Sequence, residues 1–372
     1  MKKKVVVGMS GGVDSSVAAC LLKEQGFDVI GITMKTWDYD MAGLGKSNKK
    51  ETGCCSLESI NDARSVAVAN GFLHYTIDFR EDFGGAVIDY FKEEYLHGRT
   101  PNPCVMCNTK VKWDSLLERA KLLGADYIAT GHYARVVFNN GRYQLLKGKD
   151  EKKDQSYVLW GISQEALAQT LFPLSELTKP EVRDLARRYG LKVADKGESY
   201  EICFIPDNDY ERFLKETIPA LEKDVSGGKI RDEAGEELGE HRGYPFYTIG
   251  QRKGLGISTP EPVYVTEIDY LSNTIKVGSE DKLMHRGLYA NQLNWIGIEP
   301  FGGEKNEVRC FAKIRYKDVP EPCTIRRWSE NPNLAEVLFD KPKRAITPGQ
   351  AVVFYNNIEV LGGGFIHSVI KD

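Results

Sequence analysis

The chain reads as an α/β protein with a parallel sheet at its front and a small antiparallel β-barrel or sandwich at its end. Three observations predict this. Apolar strand-like runs alternate with helical patterns over roughly the first third. A glycine-serine turn separates the first strand from the first helix. From about Lys223 the texture shifts to short alternating runs punctuated by Gly, Pro and Asn.

The elements follow in order. Residues 4–9 form a continuous apolar run, Val13–Glu24 has a helical pattern, and residues 29–34 form a second strand. Leu57–Ala69 reads as helix, residues 72–77 as strand, 82–96 and 111–123 as helices, and 126–130 as strand. Repeated βαβ units of this kind build a parallel sheet covered by helices on both faces. Residues 37–52 are rich in Gly, Lys and Asn without a period, and read as a loop over the carboxyl ends of the strands. A hairpin is expected at residues 135–138 and 143–146, joined through Asn139-Asn140-Gly141. Two helical stretches come next, the second opening at Thr178 with Pro180 just inside it. Near the end, 308–314, 335–339 and 351–355 alternate as strands.

A length of 372 residues suggests two or three domains, and 41% hydrophobic with 28% charged residues is ordinary for a folded protein. The opening Met1-Lys2-Lys3-Lys4 leads into an apolar run broken by glycines within a few residues. That is too short for a signal peptide or a membrane span, so a cytoplasmic location is expected. Eight cysteines there should be mostly reduced, and their spacing is read for catalysis or metal first. A net charge of −3 argues mildly against a nucleic-acid binder, though a local basic patch would suffice for one.

Gly8-Met9-Ser10-Gly11-Gly12-Val13-Asp14-Ser15-Ser16 lies between the first strand and the first helix. Its glycines let the backbone approach a phosphate, and the helix N-terminus adds donors and partial positive charge. The Walker lysine is missing, which excludes a kinase or GTPase loop. The pattern Ser-Gly-Gly-x-Asp-Ser resembles the loop of the ATP pyrophosphatases, which hold the β,γ-pyrophosphate and transfer AMP to a substrate oxygen. Asp14 would position either a magnesium ion or the loop itself. The bland reading is a glycine turn capped by Ser10 or Ser15.

Thr100-Pro101-Asn102-Pro103-Cys104-Val105-Met106-Cys107-Asn108 is the second signal. With a helix expected from about Val111, Cys104 and Cys107 lie near a helix N-terminus, where a thiolate is favoured and its pKa falls. Cys203 sits in Glu201-Ile202-Cys203-Phe204-Ile205-Pro206, where apolar flanks would shield a reactive sulfur. Half a zinc site is a weak alternative because no second pair completes it, and a dithiol redox pair is another. Cys20, Cys310 and Cys323 read as core residues, while Cys54-Cys55, at the start of a helix, are ambiguous and lean structural.

With these motifs in place, the chain resembles the bacterial and organellar tRNA-specific 2-thiouridylases. The likeness runs through Gly8–Ser16, Gly53-Cys54-Cys55-Ser56, Thr100–Asn108, Ala129-Thr130-Gly131-His132-Tyr133, Lys153-Asp154-Gln155-Ser156-Tyr157 and Tyr247-Thr248-Ile249-Gly250-Gln251-Arg252-Lys253-Gly254. Arg315-Tyr316 and Thr347-Pro348-Gly349-Gln350 complete it. The resemblance implies a pyrophosphatase-loop, adenine nucleotide alpha hydrolase-like domain over 1–206, a central adaptor domain over 207–284 and a tRNA-contacting antiparallel β-barrel over 285–372. It implies ATP-dependent 2-thiolation of the wobble uridine of the tRNAs for Lys, Glu and Gln.

By resemblance, Gly8, Met9, Ser10, Gly11, Gly12, Val13, Asp14 and Ser15 hold ATP phosphates with Mg²⁺, and Met34 and Gly131 contact the nucleotide. Cys107 matches the nucleophile, and Cys203 the cysteine that carries sulfur as a persulfide. Asn102, Pro103 and Cys104 line the target base. His132, Lys153, Asp154, Gln155, Arg315, Tyr316 and Gln350 match tRNA-contacting positions. A cysteine desulfurase or a relay protein would supply the sulfur.

The family usually has an aspartate where this chain has Cys104, which leaves the general base unassigned, and Ser199-Tyr200-Glu201 replaces the commoner Ser-Thr-Gly. A third thiol at 104 would complete, with Cys107 and Cys203, three ligands for a [4Fe–4S] cluster. The other reading keeps persulfide chemistry on Cys107 and Cys203 alone. An ATP-dependent nitrogen ligase would share the phosphate loop without needing the cysteines or an RNA-contacting barrel. A non-catalytic Cys-x-x-Cys metal module is the third reading.

Overall fold

The computed structural model describes residues 2–37, 56–197, 202–299, 307–329, 331 and 333–371. The chain forms two compact units.

The first unit comprises Met1–Ile88, Cys104–Asp209 and Ile358–Leu361. Its sheet is built from β1 (Lys4–Gly8), β2 (Asp28–Lys35), β3 (Leu73–Asp78), β4 (Tyr127–Ala129) and, after the hairpin β5 (Ala134–Asn139) and β6 (Arg142–Lys147), β7 (Thr170–Leu171). The order is β3-β2-β1-β4-β7 and every pairing is parallel. Val6 stands opposite Ile30 on one side and Ile128 on the other. Val5, Val6 and Val7 are fully buried, as expected of a central strand covered on both faces. Each such side chain contributes roughly 1.5–3 kcal/mol on burial.

The first helix, α1 (Val13–Glu24), buries Val13, Val17 and Ala18 with Leu174, Val182 and Ala186. It ends where Gly26 turns left-handed at φ +91° and the Phe27 N–H closes on the Leu22 carbonyl. The second, α2 (Leu57–Ala69), starts on Ser56, whose hydroxyl accepts the Ser59 N–H. The β5–β6 hairpin turns through Asn140 and Gly141, both at positive φ, which suits the twist of paired strands. Glu359 and Val360 extend this pair beyond β6. The helix Lys179–Arg188 opens as expected: the Glu181 carboxylate takes both the N–H and the hydroxyl of Thr178.

Several boundaries differ from the sequence expectation. The helix expected at 82–96 starts at Arg80 and is π-wound over Gly84–Asp89. The larger difference is that the next helical stretch begins at Pro103, not near Val111, and runs as Pro103–Met106, Cys107–Ser115 and Leu116–Leu122. The middle stretch is wound as a π-helix, a form frequent at functional sites. The expected loop at 37–52 lies, after Trp37, outside the described residues.

The second unit comprises Asp89–Pro103, Tyr210–Asn357 and Gly362–Asp372. It contains a four-stranded sheet ordered β10-β11-β8-β9, from β8 (Lys229–Arg231), β9 (Glu237–Glu240), β10 (Tyr264–Asp269) and β11 (Thr274–Gly278). The remaining strands are β12 (Met284–Trp295), β13 (Glu307–Lys313), β14 (Glu321–Arg327), β15 (Ala335–Arg344), β16 (Ala351–Asn356) and β17 (Glu359–Val369). They run β12-β15-β14-β13-β16-β17, and β17 returns to β12, closing an antiparallel barrel without edges.

Candidate nucleotide and sulfur site

The phosphate loop leaves the carboxyl end of β1, which has β2 on one side and β4 on the other. This is the switch point where open parallel sheets bind ligands. Gly11 is left-handed at φ +69°, and a Cβ there would sit 2.2 Å from the Ser59 carbonyl oxygen. Only glycine fits. Gly12 caps α1 in an extended conformation and no side chain caps it, so the first-turn N–H groups have no side-chain acceptor there. The Ser10 N–H donates to Ser15 Oγ at 3.2 Å, the Ser16 hydroxyl donates to Gly12 O at 2.8 Å, and the Thr33 hydroxyl holds Met9 O at 2.9 Å. Met34 lies near the carboxyl end of β2, half-buried. Gly131 follows β4, where a Cβ would come within 2.6 Å of the Ser15 nitrogen. This close approach also requires glycine and sets Gly131 against the start of α1.

Two lysines that sequence reasoning missed contact the loop. Lys179 Nζ lies 2.7 Å from each carboxylate oxygen of Asp14, and the Tyr133 hydroxyl donates to the same carboxylate at 2.8 Å. Asp14 is thereby tied to the rest of the unit, a contact that fits the loop-positioning role. Lys196 Nζ lies 2.6 Å from Asp62 Oδ2, 3.4 Å from Gly11 O and 3.5 Å from Ser59 Oγ. The only sequence signal for either lysine was a cation near a helix end or in a turn, which reads as solvated surface.

Cys104 stands in the first turn of the helix that opens at Pro103, and Cys107 begins the π-helical stretch. Asn108 fixes that stretch by donating to Val158 O at 2.9 Å, and the Trp113 indole donates to Thr170 Oγ1 at 2.7 Å. Cys104 is solvent-accessible while Cys107 and Cys203 are half-buried. Enough protein surrounds Cys104 that desolvation raises its thiol pKa, with the Lys112 ammonium opposing. The lowered pKa expected from its place at a helix N-terminus is thus corrected for Cys104, because four residues of regular helix supply less field than desolvation removes. Cys203 is followed by buried Phe204 and Ile205, and the Phe204 ring meets Phe83 edge-on at 5.7 Å and Trp37 at 6.3 Å. The expected apolar flank is present on that side.

The cluster reading, the alternative to persulfide chemistry, finds no support in the geometry. Among the described residues no three His, Cys, Asp or Glu side chains are grouped to hold a metal, so Cys104, Cys107 and Cys203 form no three-thiolate ligand set. Cys20, Cys310 and Cys323 are buried, as expected of core residues. Cys54 and Cys55 lie outside the described residues.

Among the positions matched to tRNA contact, His132 is only 8% exposed. It accepts or donates at 2.7 Å to Thr130 Oγ1 and lies against Trp113 and Phe172. Burial, with Lys112 adding repulsion, holds its pKa well below the ordinary histidine value. Gln155 Oε1 takes the Tyr133 N–H at 3.1 Å, so Gln155 braces the tyrosine that holds Asp14. Asp154 turns the chain by accepting from the Ser156 N–H and hydroxyl, and Lys153 closes a turn on Asp150 O.

In the second unit, Gln350 Nε2 donates to Thr100 O at 3.2 Å and Pro101 O at 2.8 Å, directly beside Asn102 and Pro103. The Asn102 N–H donates to the Tyr90 hydroxyl at 3.3 Å. Arg315 is exposed and donates to Arg344 O at 2.6 Å, and Tyr316 is exposed with Lys313 over its ring at 5.9 Å.

The family described as the tRNA methyl transferase HUP domain matches residues 3–207, the tRNA methyl transferase PRC-barrel domain matches 211–279, and the aminomethyltransferase β-barrel domain matches 285–366. A relative from Salinibacter ruber, "tRNA-specific 2-thiouridylase MnmA", is 54% identical over 371 residues, covering 99% of this chain and 95% of its own. Relatives of the same name from Cytophaga hutchinsonii and Amoebophilus asiaticus are 54% and 52% identical, each covering 100% of this chain and 99% and 97% of their own lengths. Matched end to end at this level, the chain belongs to the tRNA-specific 2-thiouridylase family.

Proposed function

We propose that this protein is an ATP-dependent tRNA-uridine 2-sulfurtransferase acting on the wobble uridine of the tRNAs for Lys, Glu and Gln. The observation that carries the reading is that one compact unit bears both a phosphate loop at a sheet switch point and the three cysteines 104, 107 and 203. A nitrogen ligase with the same loop needs no such cysteines.

In this reading Gly8–Ser15 hold the nucleotide phosphates, and Met34 and Gly131 border the nucleotide. The uridine C2 oxygen attacks the α-phosphate and pyrophosphate leaves, converting a poor leaving group into AMP. The terminal sulfur of a Cys203 persulfide attacks C2 and AMP departs. The Cys107 thiolate then attacks the Cys203 sulfur, which leaves a Cys107–Cys203 disulfide and frees the 2-thiouridine. An external thiol reductant resets the pair.

Asn102, Pro103 and Cys104 line the flipped base, whose extraction costs a few kcal/mol. His132, Lys153, Asp154, Gln155, Arg315, Tyr316 and Gln350 serve the tRNA, with buried His132 acting through the shape of its neighbourhood. A cysteine desulfurase or relay protein loads Cys203. The domains are read as 1–206, 207–284 and 285–372. Asp14 pairs with Lys179 and Tyr133, which supports reading it as a loop anchor rather than a metal ligand. Mg²⁺ is read as travelling with ATP. Among the described residues no helix is long and apolar enough to cross a membrane, and the reading places the enzyme in the cytoplasm.

The test is nucleoside analysis of tRNA incubated with the protein, ATP, Mg²⁺, cysteine and a desulfurase. The expected product is 2-thiouridine with equimolar pyrophosphate, and pyrophosphate release without tRNA or thiouridine would sink the reading.

A further inference from the structure

Resting on the ATP reading above, we infer that Lys196 is a phosphate-binding residue of this loop, doing for the β,γ-pyrophosphate what the missing Walker lysine does elsewhere. A departing pyrophosphate carries several negative charges. The α1 N-terminus offers only about half a positive charge against them. Mg²⁺ travelling with ATP offsets part of the rest, a side-chain cation at the loop would add to it, and the loop itself contains none.

Lys179 does not meet the need. Its ammonium sits between both carboxylate oxygens of Asp14, and its side chain is 9% exposed. Lys196 differs in each respect. Its Nζ touches the loop backbone at Gly11 O, 3.4 Å away, and its side chain is 31% exposed. Asp62, itself on α2, holds it by one carboxylate oxygen at 2.6 Å. Gly11 is also the residue whose left-handed turn seats the loop on Ser59, so Lys196, Ser59 and Gly11 form one contact set on the loop. An ammonium poised on the backbone of a phosphate loop, tethered by a carboxylate at one side and open to solvent, is placed to exchange a weak carbonyl contact for a phosphate oxygen.

The experiment is calorimetric titration of the full chain, with Mg²⁺ present, by ATP, by inorganic pyrophosphate and by AMP. Lys196→Gln keeps a neutral donor for Gly11 O and Asp62 while removing the charge, and thermal melting checks its fold. Expected is a loss of tenfold or more for ATP and pyrophosphate, with AMP changed less than twofold, and recovery of most of the loss in Lys196→Arg. An equal loss for all three ligands would mean that Lys196 only shapes the loop, and unchanged pyrophosphate binding would remove it from the site; either overturns the inference. A wild type that binds none of the three overturns the ATP reading itself, which the variants alone cannot do.

Discussion

Both carboxylate oxygens of Asp14 lie 2.7 Å from the Nζ of Lys179, and Asp14 occupies the second position of the helix that begins at the phosphate loop. A carboxylate there is favoured by the helix dipole but would repel a phosphate bound at the same end. Lys179 cancels that charge while Tyr133 fixes its direction. Lys179→Met should therefore raise the KM for ATP at least tenfold. It should also lower stability by about 2–4 kcal/mol, since one partner of a largely buried pair is left alone. Adding Asp14→Asn should recover part of the ATP affinity by removing the stranded charge. A double variant that binds ATP no better than Lys179→Met would show that Lys179 acts otherwise. Steady-state kinetics and denaturant titration of the four proteins supply the cycle.

The two half-buried cysteines divide the sulfur chemistry in the proposed scheme. Cys203→Ser should accept no persulfide and form no thiouridine, while still releasing pyrophosphate with tRNA. Cys107→Ser should stall one step later, with tRNA held through a C2–S–S–Cys203 bond. That adduct should appear on a non-reducing gel and vanish with dithiothreitol. Free 2-thiouridine from Cys107→Ser at wild-type rate would remove Cys107 from the resolving step.

Cys104 is accessible yet its thiol is pushed up by desolvation. At neutral pH it should stay protonated, so exposure should not make it reactive. Iodoacetamide labelling of Cys104, followed by mass spectrometry, should be slow at pH 7 and accelerate as pH rises past 9. Because no three-thiolate set forms around it, Cys104→Asp should keep near-normal thiolation and the purified wild type should contain no iron. Iron bound in proportion to activity, and lost in Cys104→Asp, would reverse this.

Arg315 is exposed and its guanidinium is oriented by the Arg344 carbonyl at 2.6 Å. If it meets one tRNA phosphate, Arg315→Ala should flatten the dependence of log Kd on log salt by about 0.7–0.9. Filter binding over a salt series measures this, and an unchanged slope would take Arg315 out of the interface.

Much of this was legible because burial leaves marks in sequence. Val5–Val7 are apolar because β1 is covered on both faces, and Asn140-Gly141 announces a turn needing positive φ twice. The helix start at Pro103 was not legible, since winding Cys107–Ser115 as a π-helix destroys the 3.6-residue period that betrays a helix. The lysines of the site were hidden for a different reason. Lys179 meets a partner 165 positions away, and nothing in local charge pattern distinguishes it from a solvated surface residue. His132, read as a contact residue, proved buried because its neighbours Trp113 and Phe172 come from separate segments.

That burial has a consequence for acid stability. His132 has a pKa well below the ordinary value of 6.5, through desolvation first and repulsion by Lys112 second, and His74 and His241 are lowered by burial too. In the unfolded chain each titrates near 6.5. Below that pH the unfolded state binds more protons than the folded state, so stability falls as pH falls; above it the contribution is full and constant. Each neutral buried histidine adds up to about 1.4 kcal/mol per pH unit to that slope. Chemical denaturation at pH 5.0, 5.5, 6.0, 6.5 and 7.5 should show stability flat at the top and declining below 6.5. His132→Gln loses ring packing and starts lower, so the slope is the test: between pH 5 and 6.5 it should be shallower by about 1 kcal/mol per unit. An identical slope in the variant would mean that His132 is protonated in the folded protein or solvated enough to titrate normally.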